Sequence, residues 1–169
     1  MDETRDSVDQ HVERWSAFWK NEPAFDPQVE GALVRMTDIL RRSQRGDAAA
    51  FADNDDFTLQ DYKTLHALMV QPWPTEATPA QLAEAANVTR AAMTSRLDRL
   101  ATAGLVTREI DAGDRRRVII RPTARGRQMW DRYIFEGIER DKQLLGALSR
   151  DELAQLNTLL RKVLVALDE

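Results

Sequence analysis

Three consecutive arginines, Arg115, Arg116 and Arg117, follow Asp114 in the segment DAGDRRR, which lies between two short apolar runs. Guanidinium groups bind phosphate and the edge of guanine through paired N–H donors. Packed side by side they repel one another unless an anion is near. Asp114 is expected to orient one of them. Seven further arginines and no lysine complete the positive charge of residues 87–127, whose net charge is +6, against −8 for residues 1–86 and −2 for residues 128–169. The formal total of −4 conceals this block. A basic stretch between acidic ones points to an anionic partner met by one part of the chain only. The alternative for the triplet is a solvated surface turn.

Other chemistry is poorly supplied. The 169 residues include no cysteine, and the two histidines, His11 and His66, share no ligand spacing. Thiolate metal sites, disulfides and a cysteine nucleophile are excluded. The seven glycines are scattered singly, so no phosphate-cradling loop is visible. The chain is expected to be no enzyme and to hold no metal or cofactor. Charges interrupt every apolar run before membrane-spanning length, and the N-terminus MDETRDSVDQ is acidic and lacks a signal-peptide core. A cytoplasmic protein with no membrane contact is expected. The length suits one domain with helical extensions.

The elements that must position the arginines follow from periodicity and caps. Val8, Val12, Trp15 and Trp19 give one apolar face to a helix over about 3–20. Asp26-Pro27 opens a second, striped by Val29, Leu33, Met36 and Leu40, which should stop near Arg45-Gly46 and leave 46–56 as an acidic linker. A third begins at Thr58, with Phe57 and Tyr62 as a staple, and is broken by Pro72-Trp73-Pro74, where Trp73 is expected to anchor the loop. Thr78-Pro79-Ala80-Gln81 starts a short fourth helix ending near Ala86-Asn87. Thr89 caps a fifth over roughly 90–102, stopped by Gly104. Leu105–Ile110 and Val118–Arg121 then read as a β-hairpin around DAGDRRR. Thr123 caps a long helix carrying Met129, Tyr133 and Ile138, with Trp130 at a helix–helix contact. Ser149 and Glu152 form a capping box before a final leucine-rich helix.

Short helix, tight turn, longer helix, hairpin is the order of a winged helix-turn-helix. The fold expected is mostly α with a small β-hairpin wing (α+β), divided into N-terminal helices at 1–46, a DNA-binding domain at 57–122 and C-terminal helices at 123–169. Met93, Leu97 and Leu100 face the core, which turns Ala91, Thr94, Ser95 and Asp98 outward and leaves Arg90 at the leading end. The expected contacts to double-stranded DNA are Arg90, Ala91, Thr94, Ser95 and Arg99 from this helix, Thr78 and Thr89 at helix N-termini, and Asp114, Arg115, Arg116 and Arg117 from the wing.

Residues 57–130 resemble the MarR family of transcriptional regulators. The likeness is carried by TPAQLAEAANVTRAAMTSRLDRLATAGLVTRE, by DAGDRRR and by PTARG. The family's wing pattern is Asp-x-Arg, five residues, Leu-Thr, two residues, Gly; Asp114, Arg116, Thr123 and Gly126 match it, and Pro122 replaces the Leu. The resemblance implies a homodimeric repressor with intertwined terminal helices, bound to a pseudo-palindromic operator and released by a small ligand. The additional first helix is similar to that of the urate-responsive subgroup. This likeness implies a ligand stacked on Trp15 or Trp19 and bonded by Thr94 and Arg96. Lys63 stands where the subgroup has an acid, a reversal that suits an anionic effector such as a carboxylate or phenolate rather than urate. Trp15 and Trp19 at helical spacing are more often packing residues than a ligand cage. The other function left open is a winged-helix module for protein contacts.

Overall fold

The computed structural model describes residues 5–54, 56–111 and 113–168. These fall into two compact units, Met1–Gly46 and Asp47–Glu169.

The first unit begins with α1 (Ser7–Phe18). Asp6 caps it, accepting from the N–H groups of Val8 at 2.8 Å and Asp9 at 3.2 Å, while the Asp9 carboxylate accepts from the Asp6 N–H. The helix is shorter than the periodicity suggests, because this reciprocal cap fixes its start at Ser7; Glu3 and Thr4 lie outside the described residues. Helix α2 (Pro27–Ala50) starts as the Asp26-Pro27 pair predicts, with Asp26 accepting from the Gln28 N–H at 2.8 Å. Gly31 is buried against the Val12 methyl. Arg35 of α2 clasps the start of α1, its Nε 2.8 Å from Asp6 Oδ2 and its Nη2 2.7 Å from Asp9 Oδ1. The Arg35 guanidinium holds the Asp6 carboxyl below its ordinary range. His11 Nε2 lies 2.6 Å from Glu30 Oε1, an acid on the other helix that local spacing does not signal.

The second unit holds the winged helix-turn-helix. Helix α2 does not stop near Gly46 but continues through Ala48-Ala49-Ala50, all strong helix formers, and Phe51 beyond it is buried. The segment read as a linker is therefore in part helix and in part core: the Phe51 ring stacks on Tyr133 at 4.6 Å. Helix α3 (Leu59–Met69) is capped by Thr58 and Asp61, α4 (Pro79–Ala85) by Thr78 and Gln81, and α5 (Arg90–Thr102) by Thr89. Strands β1 (Val106–Ile110) and β2 (Val118–Pro122) pair antiparallel, with Ile110 opposite Val118 and Val106 opposite Pro122. Ala77 bridges the other edge of β2 through two hydrogen bonds with Ile120. The core gathers Leu65 and Leu68 of α3, Leu82 of α4, Met93, Leu97 and Leu100 of α5, and Leu105 and Ile120 of the hairpin. Each such side chain stabilises the fold by about 1.5–3 kcal/mol over its exposed state.

Helix α6 (Ala124–Leu144) is anchored through the Thr-x-x-Gly pattern. The Thr123 N–H donates to the Leu105 carbonyl at 3.0 Å, and its hydroxyl lies 2.8 Å from the Gly104 carbonyl while accepting from the Gly126 N–H. Gly126 is required by this approach: a Cβ there would stand 2.1 Å from the Leu105 carbonyl oxygen. Further along, Trp130 Nε1 donates to His66 Nδ1 of α3 at 3.1 Å, with the rings stacked, which is the helix–helix contact expected of Trp130. Helix α7 (Arg150–Leu167) opens with the Ser149–Glu152 capping box and buries none of its residues in the chain, leaving Leu159, Val163, Leu164 and Leu167 exposed. Trp73 does not anchor its loop. Trp73 is 91% exposed, and the turn is closed instead by the Thr75 N–H on the Pro72 carbonyl.

Candidate nucleic-acid interface

The helix-turn-helix is set by a tight joint. Ala86 ends α4, Asn87 takes a left-handed conformation at φ 49°, and the Val88 N–H returns to the Ala83 carbonyl at 2.9 Å. The small Ala83 lets α4 and α5 approach closely. With Met93, Leu97 and Leu100 buried, α5 presents Arg90, Ala91, Thr94, Ser95 and Asp98 to solvent. The Thr94 hydroxyl donates to the Arg90 carbonyl at 3.0 Å, which leaves its oxygen facing out as an acceptor.

Backbone contacts hold the wing tip. Asp111 donates its N–H to the Arg117 carbonyl at 2.9 Å, and its carboxylate accepts from the Gly113 and Asp114 N–H groups at 2.7 and 3.1 Å. Those two donors hold the Asp111 carboxyl below the usual carboxylate range. Asp114 also works on the backbone, accepting from the Arg116 N–H at 2.9 Å. It thus shapes the turn that displays the arginines; among the described residues it makes no ion pair with a guanidinium, contrary to its expected orienting role. Arg115, Arg116 and Arg117 are exposed and unpaired among the described residues.

Two other arginines brace the hairpin. Arg121 on β2 pairs with Glu76 at 2.6 Å and with Glu109 across the strands. Arg108 on β1 reaches back to α5, its Nη2 2.7 Å from Asp98 Oδ1 and 3.2 Å from the Thr94 carbonyl. The wing is thereby tied to the outward side of α5. Neither brace has a local sequence signal, because each joins side chains on different elements.

Between the start of α4, the start of α5 and the wing lies an open depression of about 560 Å³, lined by Thr78, Arg90, Thr94, Asp114, Arg116 and Arg117. Six of the expected DNA contacts therefore share one concavity. Three guanidiniums face one carboxylate, that of Asp114, which already accepts from the Arg116 N–H. Such a cleft concentrates positive potential and attracts polyanions. Thr89, Ala91, Ser95 and Arg115 are exposed outside its lining. Arg99 is not brought to it. Its Nη2 lies 2.8 Å from Asp61 Oδ2 of α3, and it lines a separate depression with Phe57, Leu105 and Met129.

The expected ligand residues are more dispersed. Lys63 is exposed on α3, and Arg96 is half-buried on α5. Thr94 and Arg96 are two positions apart on one helix and so diverge; Thr94 lines the concavity with Arg90 and Arg116. Trp15 and Trp19 belong to the first unit, where their rings stack at 6.2 Å and stay 40% and 39% exposed. Among the described residues no three His, Asp or Glu side chains gather to hold a metal ion, and no helix is long and apolar enough to cross a membrane.

Known proteins resemble this chain in sequence and in fold. The MarR family pattern matches residues 55–117. The HTH-type transcriptional regulator PecS of Dickeya dadantii is 30% identical over 149 residues, covering 86% of this chain and 87% of PecS. The apo form of wild-type MarR from E. coli superposes with a TM-score of 0.63 at 28% identity, over 79% of this chain and 95% of that one. A Cys-to-Ser mutant of MarR complexed with operator DNA superposes at 0.61, again with 28% identity, over 79% and 92%. Likeness to PecS along most of both chains, together with a basic cleft between recognition helix and wing, settles the assignment: this chain belongs to the MarR family and is a DNA-binding transcriptional regulator.

Proposed function

We propose that the protein is a homodimeric repressor that binds a pseudo-palindromic operator and leaves it on binding a small anionic effector. The observation that carries the DNA part is the single concavity shared by Thr78, Arg90, Thr94 and Arg116. The start of α5 enters the major groove there, and Arg116 reaches the adjacent minor groove, where a narrow groove strengthens the negative potential. Ala91 and Ser95 extend the contact along the exposed side of α5, the N-terminal amides at Thr89 meet a phosphate, and Arg115 and Arg117 add backbone contacts. Dimerisation is supported by α7, whose apolar face stays uncovered in the chain. Two copies would set their recognition helices about 34 Å apart. A footprint with two protected half-sites at that spacing is expected, and a single half-site would count against the dimer.

The effector is a carboxylate or phenolate. Lys63 and Arg96 supply the charge for it, neither having an ion-pair partner among the described residues. Thermal-shift screening with acidic metabolites tests this, with release of DNA by the stabilising compounds as the second readout. Stabilisation by neutral or cationic compounds alone would refute the anionic class.

A further inference from the structure

Asp61 is a charged side chain with almost no access to water. It is 3% exposed, on the first turn of α3. Its Oδ2 accepts from the Thr58 N–H at 3.0 Å, the Thr58 hydroxyl at 2.7 Å and Arg99 Nη2 at 2.8 Å. Its Oδ1 is buried with no hydrogen-bond partner in the described structure. A buried carboxylate held on one oxygen depends heavily on its cation, since removing one partner of such a pair leaves an uncompensated charge in a medium of low polarity. Arg99 is that cation.

Its position on α5 decides what it can do there. At about 100° per residue, Arg99 points roughly 140° away from Thr94 and 180° away from Arg90 around the helix. The concavity that gathers Arg90, Thr94 and Arg116 does not include it. The depression that Arg99 lines includes Phe57, Leu105 and Met129 together with the charged Asp56, Asp98 and Arg125, none of them from the wing.

We propose that Asp61 and Arg99 form a positioning pair, which fixes the rotation of α5 against α3 so that the opposite side of α5 meets the bases; neither residue touches DNA. The proposal rests on α5 being the helix that reads DNA. An exposed pair of this kind would hold little, but burial of Asp61 makes the pairing geometry costly to lose. A rotation of α5 by a few degrees displaces Thr94 and Arg90 together, so sequence discrimination is lost before non-specific attraction.

The test uses the full-length protein and two duplexes of equal length, one selected in vitro from a random pool by the wild type and one unrelated. Affinity is measured across a salt series for Arg99→Gln, Arg99→Lys, Asp61→Asn and the double variant Asp61→Asn/Arg99→Gln. The double variant carries no buried charge, so it keeps the fold where Arg99→Gln leaves Asp61 unpaired, and thermal melting checks this. The expected result is at least a tenfold loss on the selected duplex in Asp61→Asn and in the double variant. The unrelated duplex should change far less, the salt slope should stay at the wild-type value, and Arg99→Lys should recover part of the loss. If Arg99→Gln lowers the salt slope by about 0.9 and weakens both duplexes alike, Arg99 contacts a phosphate and the proposal is overturned. Wild-type discrimination in Asp61→Asn overturns it as well. A wild type that selects no sequence would instead refute the reading of α5 on which the pair depends.

Discussion

Arg108 Nη2 lies 2.7 Å from Asp98 Oδ1, so a residue on the first strand of the wing holds a residue on the outward side of the recognition helix. The same nitrogen lies 3.2 Å from the Thr94 carbonyl. The wing and α5, which the proposal places in adjacent grooves, are thereby set at a defined separation. The pair is partly exposed, and such a contact adds about 0–1 kcal/mol to stability. Arg108→Ala should therefore lower the melting temperature by only about 2–4 °C or less. Operator affinity should fall by an order of magnitude, as measured by fluorescence anisotropy. A loss of affinity that merely tracks a large loss of stability would argue against a spacing role.

Arg116 is the first choice for the minor groove. Its side chain is exposed and its backbone N–H is held by Asp114 at 2.9 Å, so truncation leaves the turn intact. Arg116→Ala should melt like the wild type and bind operator tenfold or more weakly, with a salt slope smaller by about 0.9. Asp114→Ala should act differently, loosening the turn and reducing the contributions of Arg115, Arg116 and Arg117 together. Unchanged operator affinity in Arg116→Ala would remove the wing from the interface.

Gly126 sits where α6 crosses the Leu105 carbonyl, and an added methyl would lie 2.1 Å from that oxygen. Because the obstacle is backbone, relief requires α6 to shift. Gly126→Ala should cost at least about 1–3 kcal/mol in chemical denaturation. A change within about 0.5 kcal/mol, the usual range for surface substitutions, would mean that α6 moves freely over the hairpin.

His66 gives a pH dependence with a definite sign. Trp130 Nε1 can only donate, so His66 Nδ1 must accept, and the neutral ring carries its proton on Nε2. Burial lowers the His66 pKa below its ordinary 6.5. The unfolded chain therefore takes up a proton first as pH falls. The stability contributed by the neutral ring is complete above pH about 6.5 and declines below it, until the folded form is protonated too. Denaturation midpoints measured from pH 8 downward should show this decline, and His66→Gln should flatten it. An identical slope in the variant would assign the dependence to other groups.

Much of the fold was legible because caps and periodicity are local. Thr78 with Gln81, Thr89, Thr123, and Ser149 with Glu152 all start helices as their spacing indicates. The buried set Met93, Leu97 and Leu100 fixes the exposed side of α5 by helical geometry alone. What failed depends on tertiary partners. Gly46 lies inside α2 because alanines follow it and Phe51 is held by Tyr133. Trp73 is exposed because, among the described residues, no apolar partner covers it. Arg99 looks like one more arginine of a basic helix, and only the fold brings Asp61, 38 residues earlier, to it. Asp114 does serve the arginines, but through the Arg116 backbone N–H rather than a guanidinium.

The most direct test of the central claim, that the cleft of Arg90, Thr94 and Arg116 is where duplex DNA binds, is a salt titration of binding to a palindromic promoter fragment and to random DNA. The account predicts a linear fall of log affinity with log salt, with a slope reflecting several released counterions. It also predicts tighter binding to the palindrome and a shallower slope for Arg116→Ala. Binding to the palindrome no tighter than to random DNA, with Arg116→Ala indistinguishable from wild type, would contradict it.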